Sequence, residues 1–201
     1  MLKRLFDICL STVGFLLSLP LWILFSLIIL IQDGRPVFYM QERVGRNGKI
    51  FRAIKFRSMI KNAEEEAGPV QAVENDPRVT KIGRFLRETA MDELPQLINI
   101  LKGDMSFVGP RALRPEEKEV YGNNRDTRIE DIPGFTKRLR VRPGLTGMAQ
   151  VYLPTDALRK EKFRYDQEYI RNRSFFLDLK LIFLSFWITL RGRWESRAKK
   201  I

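Results

Sequence analysis

Two adjacent carboxylates, Asp92 and Glu93, stand in the stretch MDELPQL, directly ahead of a proline and a short apolar run. Acidic residues near the first turn of a helix often do no more than offset its dipole. The same position also holds a carboxylate ionised, and Arg84 and Arg87 close by in sequence reinforce this. An ionised aspartate is a nucleophile or an oxygen ligand for a hard divalent cation. The chain offers cations to accompany it: Lys55 and Arg57 in KFRSM, Arg111 in a Gly-Pro-Arg turn, and Arg140 and Arg142 in RLRVRPGLTG. Singly, each arginine reads as a surface charge or the partner of a carboxylate. Several on separate Gly-Pro and Arg-Pro turns point to an anionic ligand, because the guanidinium fork grips phosphate through two bonds. There is no histidine, so carboxylates, amines and hydroxyls must carry any proton or metal chemistry.

The elements that hold these residues can be read from pattern. A chain of 201 residues with 44% hydrophobic and 30% charged content is long enough for one folded domain with a real core. The segment PVFYMQERVGRNGKIFRAIKFRSM places two apolar, β-rich runs around GRNGK, which predicts a hairpin with Lys55, Arg57 and Ser58 at or just past a strand end. KNAEEEAG reads as a solvated helical turn ending at Gly68, and PVQAVENDPRV as a polar loop. In TKIGRFLRETAMDELPQLINILKG, a first helix has Ile82, Phe85 and Leu86 on one face. It breaks around Met91, and a second short helix runs from Pro95 to a stop at Gly103. Asp92 and Glu93 fall at that break.

Both ends of the chain point to a membrane. From Ile8 to Ile31 no side chain is charged, a run long enough to cross a bilayer as a helix and too long for a signal-peptide core. Lys3 and Arg4 precede it and Arg35, Arg43 and Arg46 follow, so charge favours neither direction and both flanks read as cytoplasmic. Within the run, LSLPLW combines Pro20, which removes a backbone donor, with Ser18, which can satisfy a freed backbone group. A helix that enters, breaks at Ser18–Pro20 and leaves on the same face fits both observations; a proline-kinked span is the alternative. Near the other end, SFFLDLKLIFLSFWITLRGRW carries Asp178 and Lys180, with Trp187, Trp194, Arg191, Arg193, Arg197, Lys199 and Lys200. It reads as a helix lying in the membrane interface with a basic tail on anionic headgroups, or else as a core helix. Lys3, Arg4, Asp7 and Asp33 cancel, so the formal +12 belongs to residues 35–201. That charge suits anionic lipids or a phosphorylated substrate; nucleic acid is excluded by the absence of any binding signature on a tethered chain. The single Cys9 excludes a disulfide framework or a thiolate cluster within one chain.

In order, KRLFDICLS, VFYMQERVGRNGKIFRAIKFRSM, NDPRVTKIGRFLRETAMDELPQLINILKGDMSFVGPR, VRPGLTGMAQV and SFFLDLKLI resemble the monotopic phosphoglycosyl transferases, or bacterial sugar transferases, over nearly the whole chain. Its length is similar to that of the minimal, short-form members. The resemblance implies transfer of a sugar 1-phosphate from a UDP-sugar to a polyprenyl (undecaprenyl) phosphate, with release of UMP, to initiate glycoconjugate assembly. It places the protein on the cytoplasmic face of the bacterial inner membrane. Asp92 matches the family's nucleophile, which forms an aspartyl phosphosugar. Glu93 is its dyad partner, assisting metal binding or the acceptor's attack. Mg²⁺, bound partly by Asp92, is the implied cofactor.

By the same resemblance Lys55 and Arg111 match phosphate-contacting residues, and Arg57, Arg87 and Arg142 are further candidates for the anion site. The membrane run matches a re-entrant helix-break-helix at Ser18 and Pro20. Two departures stand out: the family's Pro-Arg-Pro reads PRA here, so that Ala112 is expected to loosen the turn carrying Arg111, and the Ser-Pro break is spaced as SLP. YLPTDALRKEKF also replaces the family's Gly-Arg-Asn continuation of AQV, which leaves the sugar unassigned. The combined expectation is an α+β, predominantly helical protein. A re-entrant hairpin occupies residues 1–34, and a compact cytosolic domain with a small β-hairpin and amphipathic interfacial helices occupies 35–201; oligomeric state is open. A non-catalytic, membrane-bound adaptor for anions or lipid is the competing reading, and a transferase without a covalent intermediate is a third.

Overall fold

The computed structural model describes residues 2–63, 76–119, 127–194, 196, 198 and 200–201. The expected acidic helical turn and most of the loop after it fall in 64–75, outside the described residues, as do Arg197 and Lys199 of the basic tail.

The chain opens with helix α1, Leu2–Gln32. The predicted hairpin follows, with β1 (Phe38–Val44) antiparallel to β2 (Ile50–Phe56) and Tyr39 opposite Lys55. Its turn has Asn47 and Gly48 at positive φ, 57° and 79°, a conformation Asn and Gly tolerate best. Next come α2 (Lys81–Glu88) and α3 (Gln96–Lys102), joined by a 3₁₀ turn at Met91–Glu93. Thr80 caps α2 by accepting from Gly83 N at 3.0 Å. Gly103, at φ 93°, ends α3 as the sequence predicts. On α2, Leu86 is buried as expected but Phe85 is half exposed. Gly83 takes the inward place instead: a Cβ there would lie 2.0 Å from the Ser58 carbonyl oxygen, so its bareness lets α2 close on the chain just past β2.

Two three-residue strands, β3 (Ser106–Val108) and β4 (Gly144–Thr146), pair in parallel. Helices α4 (Phe135–Arg138), α5 (Met148–Tyr152), α6 (Arg159–Asn172) and α7 (Phe175–Leu190) complete the domain. Its cores are small and linked. Phe51, Leu97, Ile100 and Met105 lie under the hairpin. Val108, Val151, Tyr169, Leu181 and Ile188 pack the parallel strands against α5, α6 and α7.

Helix α1 departs from the expected helix-break-helix, because it runs as one helix from Leu2 to Gln32 with Pro20 inside it. Proline removes one rung of the ladder, and the flanking turns restore continuity. Ser18 Oγ donates to the Phe15 carbonyl at 3.1 Å and accepts from Trp22 Nε1 at 3.0 Å. At ~1.5 Å per residue the helix is ~46 Å long, yet both ends are fastened to the same domain. Near its start Arg4 donates to the Leu101 carbonyl (2.8 Å), Lys3 pairs with Asp178 (2.6 Å), and buried Asp7 accepts from Ser106 Oγ (3.0 Å) and Phe107 N (3.2 Å). Near its end Phe25 and Ile29 pack on Phe56 and Leu86, and Arg57 Nη2 holds the carbonyls of Asp33 and Gly34 at 2.6 and 2.7 Å. Its other side leaves Leu16, Leu17, Ile23, Leu27 and Ile31 exposed. By length and composition α1 is the one helix among the described residues able to cross a membrane.

Helix α7 is two-faced. Asp178, Leu181, Ser185 and Ile188 are buried, while Phe176, Phe183, Phe186, Trp187 and Leu190 are exposed, spacings that gather on one side of a helix. Arg191 lies over the Trp187 ring, 4.3 Å from its centre. Trp194 and Lys200, expected on the membrane side, instead turn inward and are buried. The tail folds back because Trp194 N donates to the Glu88 carbonyl and Thr155 N to that of Ser196.

Candidate active site

Asp92 and Glu93 sit in the 3₁₀ turn between α2 and α3, both buried. Ala90 enters that turn in the left-handed region (φ 55°, ψ 17°), a conformation costing an L-residue roughly 1–2 kcal/mol and tolerated where the surroundings enforce it. Lys55 reaches them from β2, its Nζ 2.5 Å from Glu93 Oε1 and 3.8 Å from Asp92 Oδ2. Asn99 on α3 fixes the strand for this contact. Its Oδ1 accepts from Ile54 N at 3.0 Å and its Nδ2 donates to the Arg52 carbonyl at 2.8 Å.

Arg111 comes from the turn after β3, with Nη2 2.8 Å from the same Glu93 oxygen. Ala112 is expected to loosen that turn, but two arginines brace it. Arg138 Nη2 donates to the Arg111 carbonyl at 2.6 Å, and Arg43 Nη1 to the Ala112 carbonyl at 3.1 Å. Arg138 is itself paired with Asp166 at 3.0 Å.

Burial alone would push the Glu93 carboxyl up, but Arg111 and Lys55 outweigh it and hold the group well below the usual carboxylate range. Burial pulls Lys55 down from its ordinary value, opposed first by Glu93 and then by Asp92. Arg43 is pushed down to about 10, by burial and then by Arg111.

These groups open onto one cavity of about 650 Å³ whose wall includes Lys55, Arg57, Arg87, Asp92, Glu93 and Arg111. Sequence reasoning thus named six residues that the fold brings together. Arg142, the seventh, is not on the cavity wall: its Nε donates to the Gly103 carbonyl at 2.7 Å, closing the end of α3. Arg57 joins the wall to the end of α1, and its Nε and Nη1 are buried without a hydrogen-bond partner among the described residues.

The far side of the cavity was not anticipated. Gln150, Thr155, Arg159, Lys162, Trp194 and Lys200 line it, drawn from α5, the loop after it, α6 and the tail. Arg159 pairs with Glu117, and Lys162 Nζ donates to the Thr155 carbonyl at 2.6 Å. Lys162 is pushed down to about 7, chiefly by burial and then by Arg159 and Arg111. A wall this rich in cations is built for a multiply charged anion.

Among the described residues no group of three or more His, Cys, Asp and Glu forms a protein-only metal cage. The dyad beside a cationic cavity does fit Mg²⁺, which is commonly held by one or two carboxylates together with substrate phosphates.

Comparison with known proteins agrees with this chemistry. The profile of the bacterial sugar transferases matches residues 1–192. The exopolysaccharide production protein ExoY of Rhizobium meliloti (strain 1021) is 37% identical over 197 residues, covering 91% of this chain and 83% of that protein. The UDP-glucose:undecaprenyl-phosphate glucose-1-phosphate transferase of Escherichia coli (strain K12) is 42% identical over 190 residues, 92% of this chain but 39% of that protein. A putative undecaprenyl-phosphate N-acetylgalactosaminyl 1-phosphate transferase of Bacillus subtilis (strain 168) is 48% identical over 138 residues, 69% of this chain and 73% of that protein. The chain therefore spans most of two of these relatives and well under half of the third. With the profile matched along nearly its whole length, the chain belongs to the bacterial sugar transferase family.

Proposed function

We propose that the protein transfers a sugar 1-phosphate from a UDP-sugar to a polyprenyl phosphate through a covalent intermediate on Asp92. The observation that carries this reading is the cation cluster on the dyad: one oxygen of Glu93 takes the short contacts of Lys55 and Arg111, and Lys55 also lies 3.8 Å from Asp92. Glu93 thus orients two cations around its neighbour.

In the proposed reaction an Asp92 carboxylate oxygen attacks the phosphorus attached to the sugar. The bond from that phosphorus to the bridging oxygen breaks, and UMP leaves with the electron pair. A phosphate oxygen of the polyprenyl phosphate then attacks the same phosphorus. The aspartyl-oxygen bond to phosphorus breaks, which restores Asp92 and yields a polyprenyl diphosphosugar. Lys55 and Arg111 steady the charge on the phosphoryl oxygens in both steps. Asp92, assisted by Glu93, would hold Mg²⁺, which when bound neutralises diphosphate charge.

The membrane supplies the acceptor. Both ends of α1 are tied to one body, which supports a helix that stays on one face of the membrane, the cytoplasmic one, instead of spanning it. The outward apolar faces of α1 and α7 support seating the domain at the headgroup level, where anionic lipids and the acceptor's phosphate lie. Relatives named for undecaprenyl phosphate support the acceptor class.

The test is UMP release from a panel of UDP-sugars by protein in nanodiscs, with Mg²⁺ and with or without polyprenyl phosphate. Multiple turnovers with one donor, only when the lipid is present, are expected. Lipid binding without UMP release from any donor would favour the adaptor.

Lys162 gives a pH-dependent signature of donor binding. With a pKa of about 7 its amine is mostly neutral at pH 8, and an incoming diphosphate favours the ammonium. Binding at pH 8 should therefore take up as much as about one proton. Titration calorimetry in buffers of different ionisation enthalpy should detect this uptake in the wild type and find it largely lost in Lys162→Met.

A further inference from the structure

The wall of the active cavity changes character along its length. Arg159, Lys162 and Lys200 stand at the far wall, whereas Pro36, Tyr39, Met59 and Ile60 line the end that adjoins the close of α1. This second end is open to a ligand: Pro36 is exposed, and Tyr39 and Ile60 are 39% and 52% accessible. Tyr39 fixes its relation to the chemistry, being the cross-strand partner of Lys55. Residues so opposed share one face of a hairpin, with Cβ atoms about 5 Å apart. Lys55 in turn reaches Glu93 and Asp92. Gln41 and Arg43 line the cavity with Tyr39, as the period of two requires. One face of β1 thus runs from charged Arg43 through Gln41 to Tyr39, and on to Pro36. On the strand's other face Phe38 stacks on Phe56, 5.3 Å between ring centres, and lies 5.9 Å from Trp22 of α1. The start of β1 is therefore pinned between the apolar helix and the cavity.

We propose that this apolar end holds the first isoprene units of the polyprenyl phosphate acceptor, with its phosphate at Lys55 and its chain passing over Tyr39 and Ile60 to the bilayer beside α1. This rests on the transferase reading above and adds the route by which the lipid reaches the dyad. A prenyl chain gains by leaving water on such a surface, whereas the hydroxyls of ribose and sugar would lose hydration there without partners. The exposed Ile31 in the last turn of α1 continues the apolar surface into the face given to the membrane. The cation-rich far wall takes the nucleotide end of the donor, so the two substrates approach the dyad from opposite ends of one cavity. UMP can then leave along the far wall without crossing the path of the lipid.

The test is photolabelling of the full-length protein in nanodiscs by farnesyl phosphate carrying a diazirine on its first isoprene unit, with the modified residues mapped by mass spectrometry. Modification is expected at Tyr39, Met59 or Ile60, and excess undecaprenyl phosphate should suppress it. Modification confined to the far wall or to α7 overturns the assignment. Protection of Tyr39 and Ile60 by uridine also overturns it, giving this end to the base of the donor. Kinetics supply a second arm. Ile60→Asn, at a half-exposed position, should raise the KM for undecaprenyl phosphate roughly tenfold, the scale of one large apolar contact. The KM for the donor should change little, and Ile60→Leu should restore the lipid KM. An unchanged lipid KM in Ile60→Asn, or an equal rise for both substrates, overturns the proposal. Modification at Tyr39 and Ile60 of a protein that releases no UMP from any donor upholds the lipid site and overturns the transfer reading. Normal UMP release with modification elsewhere does the reverse.

Discussion

Asp92→Asn should reduce UMP release by about 10³-fold or more, the scale seen when a covalent nucleophile is removed. Asparagine keeps the shape of the side chain and can accept a hydrogen bond where Asp92 meets Lys55, so the 3₁₀ turn and the neighbouring Lys55–Glu93–Arg111 cluster should persist. It cannot form the mixed anhydride with phosphate that the two-step route requires. Donor binding should change far less than turnover, because the far wall and Arg111 are untouched. Steady-state UMP release and donor affinity, measured on the same preparation, separate these effects. Turnover near the wild-type rate would remove Asp92 from the covalent role and favour direct attack by the lipid phosphate.

Glu93→Gln should lower kcat/KM by roughly 10²-fold, comparable to removing one preorganised electrostatic contact, and should also change its pH dependence. Lys55 is already below its ordinary pKa through burial, with Glu93 the largest opposing influence. Once that charge is gone the ammonium loses its proton at lower pH. The alkaline limb of the kcat/KM profile, which reports the free enzyme, should therefore move to lower pH in the variant.

The acid side follows from the same residue. The folded Glu93 pKa lies below its unfolded value, about 4.3. Its contribution to stability is thus present above that pH and is lost as pH falls towards the folded pKa. Acid denaturation of the variant should lack this component. Superimposable pH profiles for wild type and variant would show that Glu93 does not set the charge state of Lys55.

Local signals made part of this site readable in advance. Two apolar, β-rich runs around GRNGK marked the hairpin that carries Lys55, and Pro95 with Gly103 bracketed α3. The charged dyad at the break between two amphipathic segments marked the 3₁₀ turn. What escaped depends on distance. Strands β3 and β4 are three residues each, too short to show an alternating period. Arg142 was grouped with the anion site by its Arg-Pro setting, but only the fold brings it to the Gly103 carbonyl.

Other misses have the same origin. Composition placed Trp194 and Lys200 on the membrane, whereas backbone bonds to Glu88 and Thr155 turn the tail into the cavity. Pro20 signalled an interruption, yet a single missing donor leaves the helix intact when the turns around it are bonded. Arg43, Arg138 and Asn99 position the site through contacts 27 or more residues away in sequence. No local pattern marks such contacts.

The covalent step is tested most directly by incubating the protein with labelled UMP, an unlabelled UDP-sugar donor and Mg²⁺, with no polyprenyl phosphate present. An aspartyl phosphosugar formed from donor alone can be reversed by labelled UMP, so label should appear in the UDP-sugar pool, and should fail to appear with Asp92→Asn. If label stays in UMP while the same protein turns over normally once lipid is added, the two substrates react in a single displacement and no intermediate forms on Asp92.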